Sequence, residues 1–130
     1  VSWLVYQELA EHGAKLLKAA FACLKPGGTM LMSTPCYDGV RHAANHIHEY
    51  TVPELQKATE KAGFKVEKRY GVFMDIKHIG KMETDRANRA SIIEVRKALE
   101  PYFDNDAISC IFAPLYPDSA RNNLWVCKKP

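Results

Sequence analysis

The sequence predicts an α/β fold in which helices alternate with short strands. Three stretches carry this prediction: residues 24–35 are typical of a helix end, a glycine turn and an apolar strand, residues 51–63 of a capped helix, and residues 64–74 of a half-exposed strand. The predicted order along the chain is helix, strand, long loop, helix, strand, helical segment and strand. Many classes of α/β protein share such an order, so the order alone does not indicate a function.

The first helix is predicted over residues 14–24. Gly13 costs about 1 kcal/mol inside a helix, so we expect a break there and a separate turn or short helix over residues 1–12. Helical spacing places one set of apolar residues on a common face: Leu9, Leu16, Leu17, Ala20, Phe21 and Leu24.

A tight turn and a strand follow the first helix directly. Pro26 disfavours helical geometry at the residue before it, and Gly27 and Gly28 supply the backbone freedom that a reversal needs. The next residues suit a buried strand over 29–34, and Pro35 ends it because proline lacks a backbone donor.

The second helix begins with a capping box. The Thr51 hydroxyl can accept a hydrogen bond from a free backbone amide, while Glu54 reaches back from the third helical position. Gly63 is predicted as the left-handed residue that ends this helix. Its predicted buried stripe consists of Val52, Leu55, Ala58 and Ala62.

An edge strand and a helical insertion are predicted next. Apolar residues share one parity over 64–74 and charged residues fill the other, which is typical of a strand at the edge of a sheet. The insertion covers about residues 75–118, with helices over 76–82 and 84–99. Three residues of the longer helix are expected to point inward: Ile92, Val95 and Leu99.

The end of the insertion and the last strand complete the prediction. Asp106 can cap a further short helix through Phe112. A last strand is predicted over residues 123–128. No repeat, low-complexity tract or interdomain linker is visible, so residues 1–130 are predicted to form a single, partial domain.

Composition places the chain among ordinary globular proteins. Of its 130 residues 47% are hydrophobic and 25% are charged, and the net charge of +3 is too small to indicate a nucleic-acid partner. No stretch approaches the roughly 20 apolar residues of a membrane span, and no secretory leader is visible. We therefore predict a cytoplasmic protein with free thiols at its four cysteines: Cys23, Cys36, Cys110 and Cys127.

Two phrases of the sequence suggest a family. The run LLKAAFACLKPGGTMLMSTP, followed by HEYTVPELQKATEKAGFKVE, resembles the second half of a class I S-adenosylmethionine-dependent methyltransferase of the type 11/12 kind. The resemblance covers residues 16 to about 72. It implies a Rossmann-like methyltransferase fold whose fifth, sixth and seventh strands lie in this chain. It also implies that the seventh strand lies between the fifth and the sixth, antiparallel to the sixth.

The same resemblance implies that most of the S-adenosylmethionine site is absent. The family binds the cofactor at a glycine-rich turn after its first strand, and no two glycines of this chain have G-x-G spacing. The strand that begins at Thr29 would then lack its usual neighbour and expose an apolar edge. We expect a second copy of the chain or a separate segment to pair with residues 29–34.

The loop after the first strand holds the candidate site residues. It leaves the carboxyl end of a strand, where open α/β sheets bind ligands, and loops of about fifteen residues are usually functional or mobile. His46 or His48 can act as a general base, because histidine titrates near neutral pH. Further candidates for substrate binding are Tyr37, Asp38, His42 and Tyr50. Hydrogen bonding to the loop backbone is the alternative for each histidine.

Other chemistries have weaker support. His46 and His48 with Asp38 or Glu49 have no further ligand at recognisable spacing, so no metal site is predicted. A buried thiol is favoured over a nucleophile at Cys36. A solvated surface is favoured over a basic binding face for a set in the insertion: Lys77, Lys81, Arg86, Arg89, Arg96 and Lys97.

A last apolar set has two interpretations. In the family, the region between strands six and seven commonly helps to form a substrate lid. Core packing is the alternative for the residues concerned, which are Met74, Phe103, Phe112, Leu115 and Tyr116.

Two functions from different classes follow. The resemblance implies methyl transfer from S-adenosylmethionine to an unidentified acceptor by the full-length product, with this chain alone inactive. The alternative is a non-catalytic methyltransferase-like module for assembly or binding. A hydrolase or reductase is disfavoured because neither a G-x-S-x-G motif nor a dinucleotide fingerprint is present.

Overall fold

A computed structural model describes residues 6–35, 50–82 and 86–130, and it confirms the predicted order of helices and strands. Both predicted helices of the insertion are present, and the segment after its third helix forms a short 3-10 turn, Ala113–Leu115. The elements are α1 Tyr6–Cys23, β1 Thr29–Pro35, α2 Val52–Lys61, β2 Lys65–Gly71, α3 Ile76–Gly80, α4 Arg86–Leu99, α5 Asn105–Ile111 and β3 Asn122–Lys128.

The three strands form one antiparallel sheet in the order β1-β3-β2. The Val72 amide donates to the Asn122 carbonyl and the Arg121 amide to the Phe73 carbonyl, both just at the start of β3. The predicted edge position of β2 is confirmed, and β1 occupies the other edge of the sheet that the described residues form. This order is the one that the resemblance implies for strands five, seven and six.

The chain divides into two compact units, of which the first comprises Val1–Arg69 and Leu124–Pro130. Alternate residues of β3 point into its core, because a strand directs successive side chains to opposite faces. The Phe21 and Phe64 rings meet edge to face with their centroids 5.1 Å apart. The buried core comprises Leu17, Met32, Leu55, Phe64, Trp125 and Cys127.

The second unit comprises Tyr70–Asn123 and contains the predicted insertion. The Met74 amide donates to the Ser109 carbonyl at 2.8 Å, which ties the segment after β2 to α5. Tyr116 and Phe112 pack against a separate buried cluster of Met74, Ile79, Met82, Ile92, Ala113 and Ala120.

The predicted caps of α2 are confirmed. Thr51 and Glu54 form the reciprocal capping box, and the Thr51 hydroxyl accepts a hydrogen bond from the Glu54 amide at 3.4 Å. Gly63 has a φ of +107°, which side chains rarely adopt, so it ends the helix as predicted. Thr59 was not predicted to be buried, yet its hydroxyl donates to the Leu55 carbonyl at 2.7 Å and needs no solvent.

The predicted break at Gly13 is wrong, because α1 runs without interruption from Tyr6 to Cys23. A β-carbon at Gly13 would lie 2.6 Å from the Tyr50 hydroxyl oxygen. The glycine therefore allows another part of the chain to approach the helix closely, and its helix-breaking tendency is overcome by packing.

Two predictions in the insertion are also wrong. Val95 was expected to point inward but is 45% exposed, while the next residue, Arg96, is 2% exposed. The buried face of α4 is thus rotated toward Arg96, whose guanidinium is hydrogen-bonded to α5. Asp104 rather than Asp106 caps α5, because its carboxylate accepts the Ala107 amide at 2.8 Å.

Candidate functional site

The carboxyl end of β1 is firmly seated in the first unit. Thr34 is 4% exposed and Pro35 is also buried, so the strand holds its position up to its last residue. The chain continues from there into residues 36–49, which carry five of the six predicted site residues. Those five lie outside the described residues: Tyr37, Asp38, His42, His46 and His48.

Tyr50 is the one predicted site residue that the structure describes. Its ring is half-buried against the first core cluster, and its hydroxyl lies over Gly13 of α1. The side chain therefore fastens the start of α2 to α1, on which it packs. Its role in substrate binding stays a prediction.

The capping box fixes the backbone directly after Tyr50. One carboxylate oxygen of Glu54 accepts hydrogen bonds from both the amide and the hydroxyl of Thr51, each at 2.9 Å. Such reciprocal bonds satisfy amides that a helix start would otherwise leave without partners. The segment of predicted site residues is thus bounded by a buried strand end and a capped helix start.

The described glycines do not form an S-adenosylmethionine cradle, because four of the six meet this chain's own atoms and the other two, Gly27 and Gly80, are far apart in the sequence. A cofactor needs glycines where a β-carbon would meet the ligand. A β-carbon at Gly28 would instead meet the Lys25 carbonyl oxygen at 2.8 Å, and one at Gly63 would meet the Phe21 ring at 2.8 Å. Gly71 likewise packs against Ala113 of this chain. We therefore derive no catalytic step through the cofactor from these residues.

Within residues 6–35, 50–82 and 86–130, no three side chains of the metal-binding types lie together. Those ranges do not include the residues considered above as metal ligands, which are His46, His48, Asp38 and Glu49. In the same part of the chain, no helix is long and apolar enough to cross a bilayer.

The described cysteines are free, as predicted. Cys23 and Cys110 are exposed, while Cys127 is fully buried in the first core. Burial raises the pKa of the Cys127 thiol to about 11, so it stays protonated near neutral pH and is a poor nucleophile. Cys36 lies outside the described residues.

A second capping box, at Asp75 and His78, was missed by the sequence analysis. The Asp75 carboxylate accepts the His78 amide at 3.2 Å and lies 2.6 Å from the His78 Nδ1 atom. Burial raises the pKa of Asp75, but the His78 backbone and imidazole outweigh it and hold this pKa below its usual value. The signal was present in the sequence, since an aspartate precedes the helical pattern.

The basic residues of the insertion, which were predicted to form a solvated surface, are only partly exposed. Lys77, Lys81 and Lys97 are exposed as expected, and Arg89 donates to the Gly80 carbonyl at 3.1 Å. The solvated interpretation is wrong for Arg96, which is buried.

Of the five residues considered for a substrate lid, some are in the core and some are on the surface. Met74, Phe112 and Tyr116 pack in or against the second core cluster, which supports the core alternative for them. Phe103 and Leu115 are 52% and 72% exposed. Of this set, Phe103 and Leu115 are thus the two residues that are more than half exposed.

A shallow pocket of about 250 Å³ lies in the first unit, beside the turn that precedes β1. The Lys129 ammonium in its lining donates to the carbonyls of Phe21 and Leu24 at 2.7 and 2.8 Å, which caps the last turn of α1. Tyr50, the one predicted site residue that the structure describes, does not line this pocket, whose described lining is Gly27, Lys65, Glu67, Lys128, Lys129 and Pro130.

Comparison with known proteins supports the resemblance. The chain is 36% identical over 102 residues to a probable S-adenosylmethionine-dependent methyltransferase of Mycolicibacterium smegmatis. The match covers 74% of this chain and 38% of that relative, so the chain spans well under half the relative's length. No protein-family profile matches the chain. The resemblance to S-adenosylmethionine-dependent methyltransferases, stated from the sequence, is thereby confirmed at the level of the family.

Proposed function

We propose that this chain is the carboxyl-terminal part of an S-adenosylmethionine-dependent methyltransferase with a Rossmann-like fold. The observation that carries the proposal is the 36% identity to the mycobacterial relative. The sheet order β1-β3-β2 supports it independently, because the last strand of the chain lies between the two earlier ones. A strand inserted in this way is what the resemblance implies for strands five, seven and six.

In this proposal the cofactor is held mainly by residues outside this chain. Four of the six described glycines pack against this chain's own atoms, which is consistent with a cofactor site located elsewhere in a longer product. The residues between β1 and α2 then contribute to the acceptor side. His46 or His48 removes a proton from the acceptor, and Tyr37, Asp38, His42 and Tyr50 contact it.

The edge of β1 that no described strand covers is proposed to pair with a strand from the rest of the longer product. β2, at the opposite edge, carries four charged residues, whereas β1 carries none, and charges on an edge strand oppose pairing. Leu31, in the middle of β1, is 62% exposed in the described part of the chain. A second copy of the chain is the alternative partner, and sedimentation of the 130-residue chain separates the two because only self-pairing gives a dimer.

Calorimetry with S-adenosylmethionine tests the function. We expect heat of binding with the full-length product and none with residues 1–130 alone. Binding in neither protein contradicts the enzyme proposal and favours a non-catalytic assembly module. S-adenosylhomocysteine serves as the matched ligand, since it has the same adenosyl and amino-acid groups without the transferable methyl.

Methyl-labelled S-adenosylmethionine and a cell extract test the two histidines. We expect His46→Gln or His48→Gln to lower label transfer by about 100-fold, the lower end for general acid–base catalysis, with cofactor binding unchanged. His78→Gln is the matched control, because His78 caps α3 and lies outside the proposed site. Undiminished transfer in both loop variants contradicts their proposed role.

A further inference from the structure

Arg96 is a buried cation whose hydrogen-bond partners are neutral. It is 2% exposed, and its Nη1 and Nη2 atoms each lie 3.4 Å from the Ser109 hydroxyl oxygen. Nη2 also donates to the Asn105 amide oxygen. Among the residues that the structure describes, no carboxylate pairs with this guanidinium. A buried charge is costly without a counter-ion, so this arrangement invites an anion.

The unsatisfied atom shows which side of the guanidinium is available. Arg96 Nε is buried and has no hydrogen-bond partner among the described residues. Nε and Nη2 point their hydrogens in the same direction, and this edge matches the two oxygens of a carboxylate. Ser109 lies on the other edge, within reach of both Nη1 and Nη2. Asn105 thus offers one oxygen to Nη2, while no described residue offers one to Nε.

Asn105 is the exposed partner of the Arg96 guanidinium. It is the first residue of α5 and is exposed, as are its neighbours from Pro101 to Ala107. Ser109, one turn further along, is fully buried and its hydroxyl donates to the Asn105 carbonyl at 2.8 Å. Of the two partners of Arg96, the exposed Asn105 side chain is therefore the one that a ligand can replace without moving the helix backbone.

We propose that the Nε and Nη2 edge of Arg96 binds the carboxylate of a small organic acid, which displaces the Asn105 amide oxygen. The two oxygens then satisfy both donors, and the single negative charge neutralises the guanidinium. The displaced Asn105 amide group can turn and donate a hydrogen bond to the same carboxylate. This site lies within the second unit and does not depend on the proposed methyl transfer.

Thermal unfolding of the purified full-length protein tests the site with acetate as the probe. We expect sodium acetate to raise Tm by about 2–5 °C above sodium chloride of equal ionic strength. Arg96→Met should lose this difference. Arg89→Met is the matched control and should keep it, since Arg89 lies two turns away on α4 and donates to a backbone carbonyl. An equal response of the wild type and Arg96→Met overturns the proposal.

A substitution at Asn105 tests the same edge if Arg96→Met does not fold. Asn105→Asp places a carboxylate against the guanidinium, so we expect it to raise Tm and to abolish the acetate response. Asn105→Ala removes the competing amide, and it should lower the acetate concentration that gives half of the effect. An acid at a helix start is stabilising by itself, so Asn105→Asp is compared in the Arg96→Lys background, where a smaller gain is expected. An acetate response that survives in Asn105→Asp overturns the proposal.

Discussion

The Tyr50 hydroxyl lies over Gly13, with its oxygen 2.6 Å from the place that a β-carbon on that residue would occupy. Gly13 sits within α1, where glycine is a poor helix former, and Tyr50 directly precedes the cap of α2. Glycine therefore lowers the intrinsic helix propensity of α1 but allows Tyr50, and with it the start of α2, to pack closely against α1. This junction lies at the end of the segment that carries the predicted site residues.

Gly13→Ala should have effects of opposite sign in two backgrounds. With Tyr50 present, the new methyl group forces the ring away, so we expect a destabilisation of about 1 kcal/mol or more. In Tyr50→Phe the nearest ring carbon is 3.5 Å away, and alanine should stabilise the helix by about 1 kcal/mol. Urea unfolding of the four proteins measures the coupling. Gly80→Ala is a control, because a β-carbon there meets nothing within 4 Å, and additive effects at residues 13 and 50 would contradict the prediction.

Lys129→Met should loosen the end of α1. The ammonium donates to two carbonyls of the last turn and lies 4.4 Å from the centroid of the Phe21 ring. Loss of these charge-assisted contacts should lower the free energy of unfolding by about 1–2 kcal/mol. Lys128→Met removes the neighbouring charge without removing that cap and should change stability by less. Hydrogen exchange at the amides of residues 20–24 should rise in Lys129→Met, and unchanged protection there would speak against the cap.

The Asp75 carboxylate should make stability depend on pH in acid. Its pKa in the folded protein lies below the usual value of 3.8, so its stabilising effect is fully present above pH 3.8. The effect is lost as the pH falls through the lower folded-state pKa. Asn caps helices nearly as well, so Asp75→Asn should retain the fold at pH 7 and remove part of the acid dependence. Urea unfolding between pH 2.5 and 7 measures it, and an acid dependence in Asp75→Asn equal to that of the wild type would contradict the prediction.

Local signals predicted most of the fold. The capping box at Thr51, the glycine end at Gly63 and the strand after Gly28 each depend on residues adjacent in sequence, and all three are confirmed. The prediction failed at Gly13 and at Arg96, where the outcome depends on distant residues. At Gly13, packing against Tyr50 offsets the low helix propensity of glycine. On α4, hydrophobic periodicity predicts that Val95 is buried, but hydrogen bonds to Ser109 and Asn105 allow Arg96 to be buried there.

Less of the candidate site could be predicted from local sequence signals. The resemblance named a family, and the relative confirms it at that level, but the roles of His46 and His48 depend on groups that no local pattern identifies. The burial of Arg96 likewise could not be predicted from the local sequence. A lone arginine on a helix is most often solvated. Arg96 is distinguished by its burial and by an Nε that has no partner among the described residues.

Cysteine labelling should separate Cys127 from the two exposed thiols. Burial excludes reagents from Cys127 and raises its pKa to about 11, so the reactive thiolate is scarce at pH 8. We expect iodoacetamide to modify Cys23 and Cys110 in the native protein, and Cys127 only after unfolding in guanidinium. Peptide mass spectrometry over time measures the three rates. Because Cys127 lies in the same core as Trp125, native labelling of Cys127 at a rate similar to that of Cys23 would contradict the packing of β3 against that core.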